Sequence, residues 1–167
     1  SDLRVLRPSY VVGQAPALYE FFARQPKDSL IASLAEEADN LPTFSQRSVL
    51  VSAKSMVPYH VGYFRQMRQR MTDLLRAQYS PDMDQVRRFI QAYGIDFWLL
   101  EHEAFRPEYL ATKTWLQHFQ PAASEALAGL RQGVTPALST VMGRCTVFET
   151  QSLVVLQAAC LMPASQG

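Results

Sequence analysis

Hydrophobic positions along this chain fall into short continuous runs and into stripes spaced every third or fourth residue, and residues 48–94 show both. Ser48-Val49-Leu50-Val51-Ser52 is a strand-like run that ends in a polar loop, residues 53–60. Val61, Phe64, Met67, Met71, Leu74 and Leu75 then form one stripe and predict a helix over 61–79. Val86, Phe89, Ile90 and Tyr93, at i, i+3, i+4 and i+7, predict a second helix over about 84–93. Gly94 suits the left-handed position after that helix. Its start has two readings: Ser80 as cap with Pro81 at the first helical position, or Asp82 as cap with Gln85 reaching back. A strand over 95–100 follows with no spare loop, as a tight helix-to-strand connection requires.

The flanks extend this pattern. Pro16 suits a first helical turn, and Leu18, Phe21 and Phe22 mark one face of a short helix that fades at Gln25-Pro26. After the turn signal Pro26-Lys27-Asp28, residues 29–33 read as a buried strand and 34–39 as a brief helical segment ended by Asn40-Leu41-Pro42. Two apolar strands joined by a helical segment imply a βαβ unit in a parallel sheet covered on both faces. Downstream, Pro107 opens a helix over 107–119, Pro121 another over 121–131, and Thr135-Pro136 a short one ending near Gly143. Residues 144–149 and 153–161 read as a β-hairpin. The expected fold class is therefore α/β: a three-layer, Rossmann-like domain with a mostly parallel sheet and a C-terminal β-hairpin. Residues 1–14 read as a linker or an edge strand at Tyr10-Val11-Val12, 15–162 as one domain, and 163–167 as a polar tail.

Composition narrows the class. The 167 residues are 48% hydrophobic and 19% charged, with net charge +1, which is globular composition with no global field for nucleic acid or an anionic membrane. The longest apolar stretch, 152–162, is far short of the roughly 20 residues of a membrane span. No signal-peptide pattern opens the chain, which as given reads as soluble. Cys145 and Cys160 fall on the two arms of the expected hairpin. A two-residue turn at Thr150-Gln151 would set Cys145 opposite Leu156, leaving two buried thiols, while a disulfide would need a longer loop and Cα atoms within about 7 Å.

The common catalytic and cofactor signatures are missing. There is no Gly-x-Gly-x-x-Gly, no Walker loop and no Gly-x-Ser-x-Gly, and His60, His102 and His118 match no zinc spacing. No cofactor is expected. Candidates then come from position, because ligands of open α/β sheets bind beyond the carboxyl ends of the strands. Those ends carry Ser33 and Glu36, then Ser52, Lys54, Tyr59 and His60, then Glu101, His102 and Glu103. His60 with Glu101 or His102 would make an acid/base pair if their loops are neighbours; the alternative is a solvated Glu101-His102-Glu103 loop. Arg65, Arg68, Arg70 and Arg76, with Arg87 and Arg88 on the next helix, would recognise an anionic ligand or form a solvated face. Without interleaved aromatics they do not resemble a nucleic-acid binder.

A larger pattern joins these pieces. Leu18-Tyr19-Glu20-Phe21-Phe22 with Gln25-Pro26-Lys27-Asp28 is followed by Ala38-Asp39-Asn40-Leu41-Pro42 and Arg47-Ser48-Val49-Leu50-Val51-Ser52. Pro58-Tyr59-His60, Arg70, Ala77-Gln78-Tyr79-Ser80-Pro81-Asp82 and Tyr93-Gly94-Ile95-Asp96-Phe97-Trp98-Leu99-Leu100 complete it. Over about 16–105 this resembles the soluble C-terminal domain that follows the membrane spans of large polytopic proteins of cyanobacterial type. Those proteins are similar to multi-spanning glycosyltransferases that use polyprenyl-phosphate sugars. The resemblance implies a non-catalytic extracytoplasmic domain, attached to a membrane-spanning part of the same polypeptide, that modulates binding of an acceptor or a lipid-linked sugar donor. The catalytic acids of such transferases lie among the membrane helices, so no catalytic residue carries over to this chain. Arg4 and Arg7 would belong to the stub leaving the last span. From residue chemistry alone, a small enzyme using His60 and Glu101 on a phosphorylated or sugar substrate, or a protein-interaction module, are the alternatives.

Overall fold

A computed structural model describes residues 15–52 and 61–164. In chain order it runs α1 (Ala15–Ala23), β1 (Leu30–Ser33), a 3-10 turn (Glu36–Asn40), α2 (Leu41–Phe44), β2 (Ser48–Val49), α3 (Val61–Tyr79), α4 (Met83–Tyr93) and β3 (Phe97–Glu101). Then follow α5 (Pro107–Thr112), a 3-10 turn (Thr114–His118), α6 (Ala122–Arg131), a 3-10 turn (Ala137–Thr140), α7 (Met142–Cys145), β4 (Thr146–Glu149), β5 (Leu153–Gln157) and α8 (Ala158–Leu161). The expected edge strand or linker at the N-terminus lies outside the described residues.

The five strands form one mixed sheet in the order β2-β1-β3-β5-β4. β1 pairs in parallel with β2 and with β3, so the βαβ unit is present. β5 runs antiparallel to both β3 and β4. The C-terminal hairpin is therefore present, but its second arm lies against β3 and turns the expected mostly parallel sheet into an evenly mixed one.

Side-chain alternation along the strands divides the core in two. Ile31, Phe97, Leu99, Leu153 and Val155 face α1, α2 and the first 3-10 turn, where they meet Leu18, Phe22, Ala38 and Leu41. Ala32, Trp98, Leu100, Val154 and Leu156 face the other way, onto α3, α4 and the helices after β3. The α3 stripe buries Met67, Met71, Leu74 and Leu75 there, and α4 buries Val86, Phe89 and Ile90. Of the two caps open for α4, Asp82 is the one used, accepting from the Asp84 N–H at 2.9 Å. Gly94, at φ 69°, closes the helix, and the N–H groups of Gly94 and Ile95 both bond to Ile90 O.

Several expected elements are shorter, among them the first hairpin arm, expected over 144–149 and observed as Thr146–Glu149. The 48–52 strand stops at Val49, although Leu50 N still bonds Ile31 O at 2.9 Å. The 107–119 helix breaks at Lys113, which leaves helical geometry at ψ 82°. The 153–161 strand stops at Gln157 because its partner β3 begins at Phe97, directly opposite; the chain then turns into α8. That turn corrects the expectation for the cysteines. Neither lies on a strand: Cys145 ends α7, Cys160 lies in α8, and the two form a disulfide with Cα atoms 5.5 Å apart.

Candidate functional site

The carboxyl edge of the parallel strands is built from polar groups that satisfy one another. Ser33, the last residue of β1, donates its hydroxyl to Leu99 O at 2.8 Å and accepts from Ala35 N at 2.9 Å, pinning the end of β1 to β3. Glu101, the last residue of β3, lies 3.6 Å from Lys113 Nζ, with both side chains largely buried. The same ammonium stands 4.6 Å from the centre of the Tyr109 ring, a cation–π contact. Burial first, and the Glu101 carboxylate second, push the Tyr109 phenol far above its ordinary value near 10. Beneath this cluster runs a buried chain of hydrogen bonds. Trp98 Nε1 donates to Gln78 Oε1 at 3.0 Å, Gln78 Nε2 to Tyr79 Oη at 3.2 Å, and Tyr79 Oη to Ala104 O at 2.7 Å. Burial likewise raises the Tyr79 phenol. Phenols held protonated in this way are no general bases at neutral pH, and Glu101 and Lys113 are engaged with each other.

His102 follows Glu101 in sequence but takes different partners. Its Nε2 lies 3.0 Å from Thr150 O and 3.2 Å from Glu149 Oε2, and its backbone N–H donates to Ser152 O at 2.9 Å. It fastens the β4–β5 turn to the end of β3. Glu103 pairs with Arg106 at 2.9 Å. Lys54, Tyr59 and His60 lie outside the described residues, so the structure gives no separation between His60 and Glu101. Three residues past the end of β2, Ser52 donates to Asp39 Oδ1 at 2.5 Å. An open depression of about 600 Å3 between Asp39, Gln46 and Ser52 adjoins that bond.

The arginines spread over several surroundings rather than converging. Arg65 is exposed on the outer face of α3. Arg68 donates to His118 O at 2.8 Å, with its guanidinium 5.8 Å from the Phe119 ring centre. Arg70 reaches Leu50 O at 3.4 Å, Arg76 lies 3.7 Å from Glu125, Arg87 donates to Leu161 O at 2.8 Å, and Arg88 lies 3.9 Å from Asp82. Among the described residues, no group of three or more His, Cys, Asp or Glu side chains is placed to hold a metal ion. Nor is any helix among them long and apolar enough to cross a membrane.

Position alone located Glu101 and His102 at the strand ends. It missed Tyr109 and Lys113, which nothing in the spacing sets apart from other helix residues. Gln78 did carry a signal, as a polar side chain within a buried helical stripe, and that stripe places it under Trp98. Compared with known proteins, the chain matches no protein-family model and no curated sequence.

Proposed function

We propose that this chain is a non-catalytic, extracytoplasmic domain of a membrane-anchored glycosyltransferase-like protein, modulating how an acceptor or a lipid-linked donor binds to the spanning part of the same polypeptide. The observation that carries the compartment is the Cys145–Cys160 disulfide. Such bonds form and persist where the environment oxidises thiols, and they are rare in the cytosol. The non-catalytic part is supported by the strand ends, where Ser33, Glu101, His102 and Lys113 are each tied to a structural partner. The resemblance over 16–105 supplies the glycosyltransferase context. A Rossmann-like reading of the fold is supported by the order β2-β1-β3, with the β1–β2 connection packed on one face and α3–α4 on the other. In that reading the crevice between β1 and β3, where a ligand would enter a nucleotide-binding relative, is bridged by Ser33.

Alkaline phosphatase fused after Gly167 in the parent reading frame tests the compartment, together with thiol alkylation in intact cells. Active phosphatase and unreactive Cys145 and Cys160 are expected. An inactive fusion with both thiols alkylated, or a reading frame lacking membrane spans, overturns the reading. Sugar transfer or hydrolysis by the isolated domain overturns its non-catalytic part.

A further inference from the structure

A cavity of about 120 Å3 lies at the carboxyl end of β2, between residues 49–52 and the α3 side chains Gln66, Met67 and Arg70. This is the edge of the sheet where ligands of open α/β folds bind. None of the polar groups that close the same edge at β1 and β3 (Ser33, Glu101 and Lys113) lines it.

Arg70 differs from the other arginines of α3 and α4. Arg65 is exposed, Arg68 is held by a carbonyl and a ring, and Arg76, Arg87 and Arg88 each have a carboxylate within 4 Å. Arg70 is half-buried, yet among the described residues no carboxylate lies within 4 Å of it. Its one hydrogen bond, to Leu50 O, is 3.4 Å, past the ordinary length. A guanidinium carries five N–H donors, so most of those on Arg70 have no protein acceptor among the described residues. The acids nearby are committed elsewhere. Asp73 accepts from Tyr93 Oη and Gln69 Nε2, and Asp39, which accepts from Ser52, lines the neighbouring depression and not this cavity. Gln66, one turn before Arg70 on the same helix face, adds an amide that bonds to no other described residue.

The volume limits the occupant. Whole cofactors and drug-sized ligands need roughly 300 Å3 or more. This cavity holds about as much as four waters at about 30 Å3 each, enough for a small anion or the terminal anionic group of a larger molecule. A carboxylate has two oxygens and would be satisfied by the planar fork of Arg70 alone. A phosphate group has a further oxygen to offer the Gln66 amide. We propose that the cavity binds a phosphate group, two of its oxygens on the Arg70 guanidinium and a third on Gln66. The inference depends on neither the compartment nor the glycosyltransferase context proposed above.

The test titrates the whole chain with inorganic phosphate and, separately, with acetate at constant ionic strength, following amide and arginine side-chain chemical shifts. Saturable shifts at Leu50, Val51 and the Arg70 Nε–H are expected with phosphate, at an affinity at least about tenfold tighter than for acetate. Arg70→Gln should weaken phosphate binding at least about tenfold and Gln66→Leu about threefold. Arg131→Gln removes the same charge from the exposed end of α6 and should leave the affinity unchanged. Thermal melts confirm that the variants fold, and the exposed Gln66 keeps the test open should Arg70→Gln fail to do so. Co-sedimentation with phosphatidylcholine vesicles, with and without phosphatidic acid, separates the two sources of a phosphate. Retention on the acidic vesicles alone, lost in Arg70→Gln, assigns a lipid headgroup; phosphate binding without retention assigns a soluble phosphate, and both support the site. No saturable shift with phosphate, equal affinity for acetate, or equal weakening by Arg131→Gln and Arg70→Gln overturns the proposal.

Discussion

At the scale of single residues, Arg47 is the most constrained side chain in the described structure. It is buried and bonds only to carbonyl oxygens: Nη2 to Ala23 and Gln25 at 2.8 and 2.6 Å, Nε to Gln25 at 3.2 Å, and Nη1 to Ser45 and Gln46 at 3.0 Å each. The last carbonyls of a helix have no partner within it and carry partial negative charge, so a guanidinium at the end of α1 satisfies both needs. Gln46, at φ 54°, bends the chain so that the side chain can turn back. Replacing Arg47 by Met keeps the aliphatic stem but leaves these carbonyls without donors. Unfolding free energy from urea titration should fall by about 3 kcal/mol. Arg47→Lys should recover less than half of that, because an ammonium cannot reproduce the planar fork. A loss under about 1 kcal/mol for Arg47→Met would mean that water replaces the guanidinium. Nothing in the sequence separates Arg47 from the exposed arginines of α3. The distinction arises only when α1 and the turn before β2 meet, which is a tertiary event.

At the scale of elements, α4 was the most legible because its signals are local. The i, i+3, i+4, i+7 stripe, the Asp82 cap and the Gly94 stop all act within the helix and its two neighbours. Gly94→Ala meets no atom within 4 Å of the added carbon, so its cost is that of the left-handed backbone alone, about 1 kcal/mol. Asp82→Ala removes the bond to Asp84 N and should cost about the same. The two sites are separated by the length of the helix, so thermal melts of the double variant should show the sum of the single losses. A double variant no worse than either single would show that α4 frays as one unit. The elements that were misread depend on neighbours instead. An apolar run cannot show that β5 must stop where β3 begins, nor that Lys113 turns out of its helix beside Glu101 and Tyr109. The disulfide was hidden for the same reason, since it joins two short helices at places where strands were expected.

At the scale of the whole molecule, buried phenols link stability to pH. The candidate site was legible only as a place, the end of β3; that its groups lock together around Tyr109 and Tyr79 required the packed structure. Tyrosines with raised ionisation occur on both faces of the sheet. Tyr79 and Tyr109 are raised first by burial, and Tyr19 by burial and its 2.7 Å bond to Glu37. Tyr93 is pushed up to about 12 by burial and then by Asp73. The sign follows directly. Below about pH 10 the phenols are neutral in both states, and their contribution to stability is fully present. Above it the unfolded chain loses protons that the folded chain keeps, so stability falls as pH rises toward the folded values. Each deeply buried phenol, Tyr79 and Tyr109, adds about 1.4 kcal/mol to the fall per pH unit in that window. Because the sheet joins both layers, the loss should appear as one cooperative unfolding, with phenolate absorbance rising together with the loss of helical circular dichroism. Tyr109→Phe removes one of these groups and should make the dependence of unfolding free energy on pH shallower by about 1.4 kcal/mol per unit, whatever the substitution does to stability at neutral pH. An unchanged slope in that variant, or phenolate absorbance appearing while the helices remain intact, would mean that Tyr109 ionises in the folded state and that the lock around Glu101 is looser than its geometry implies.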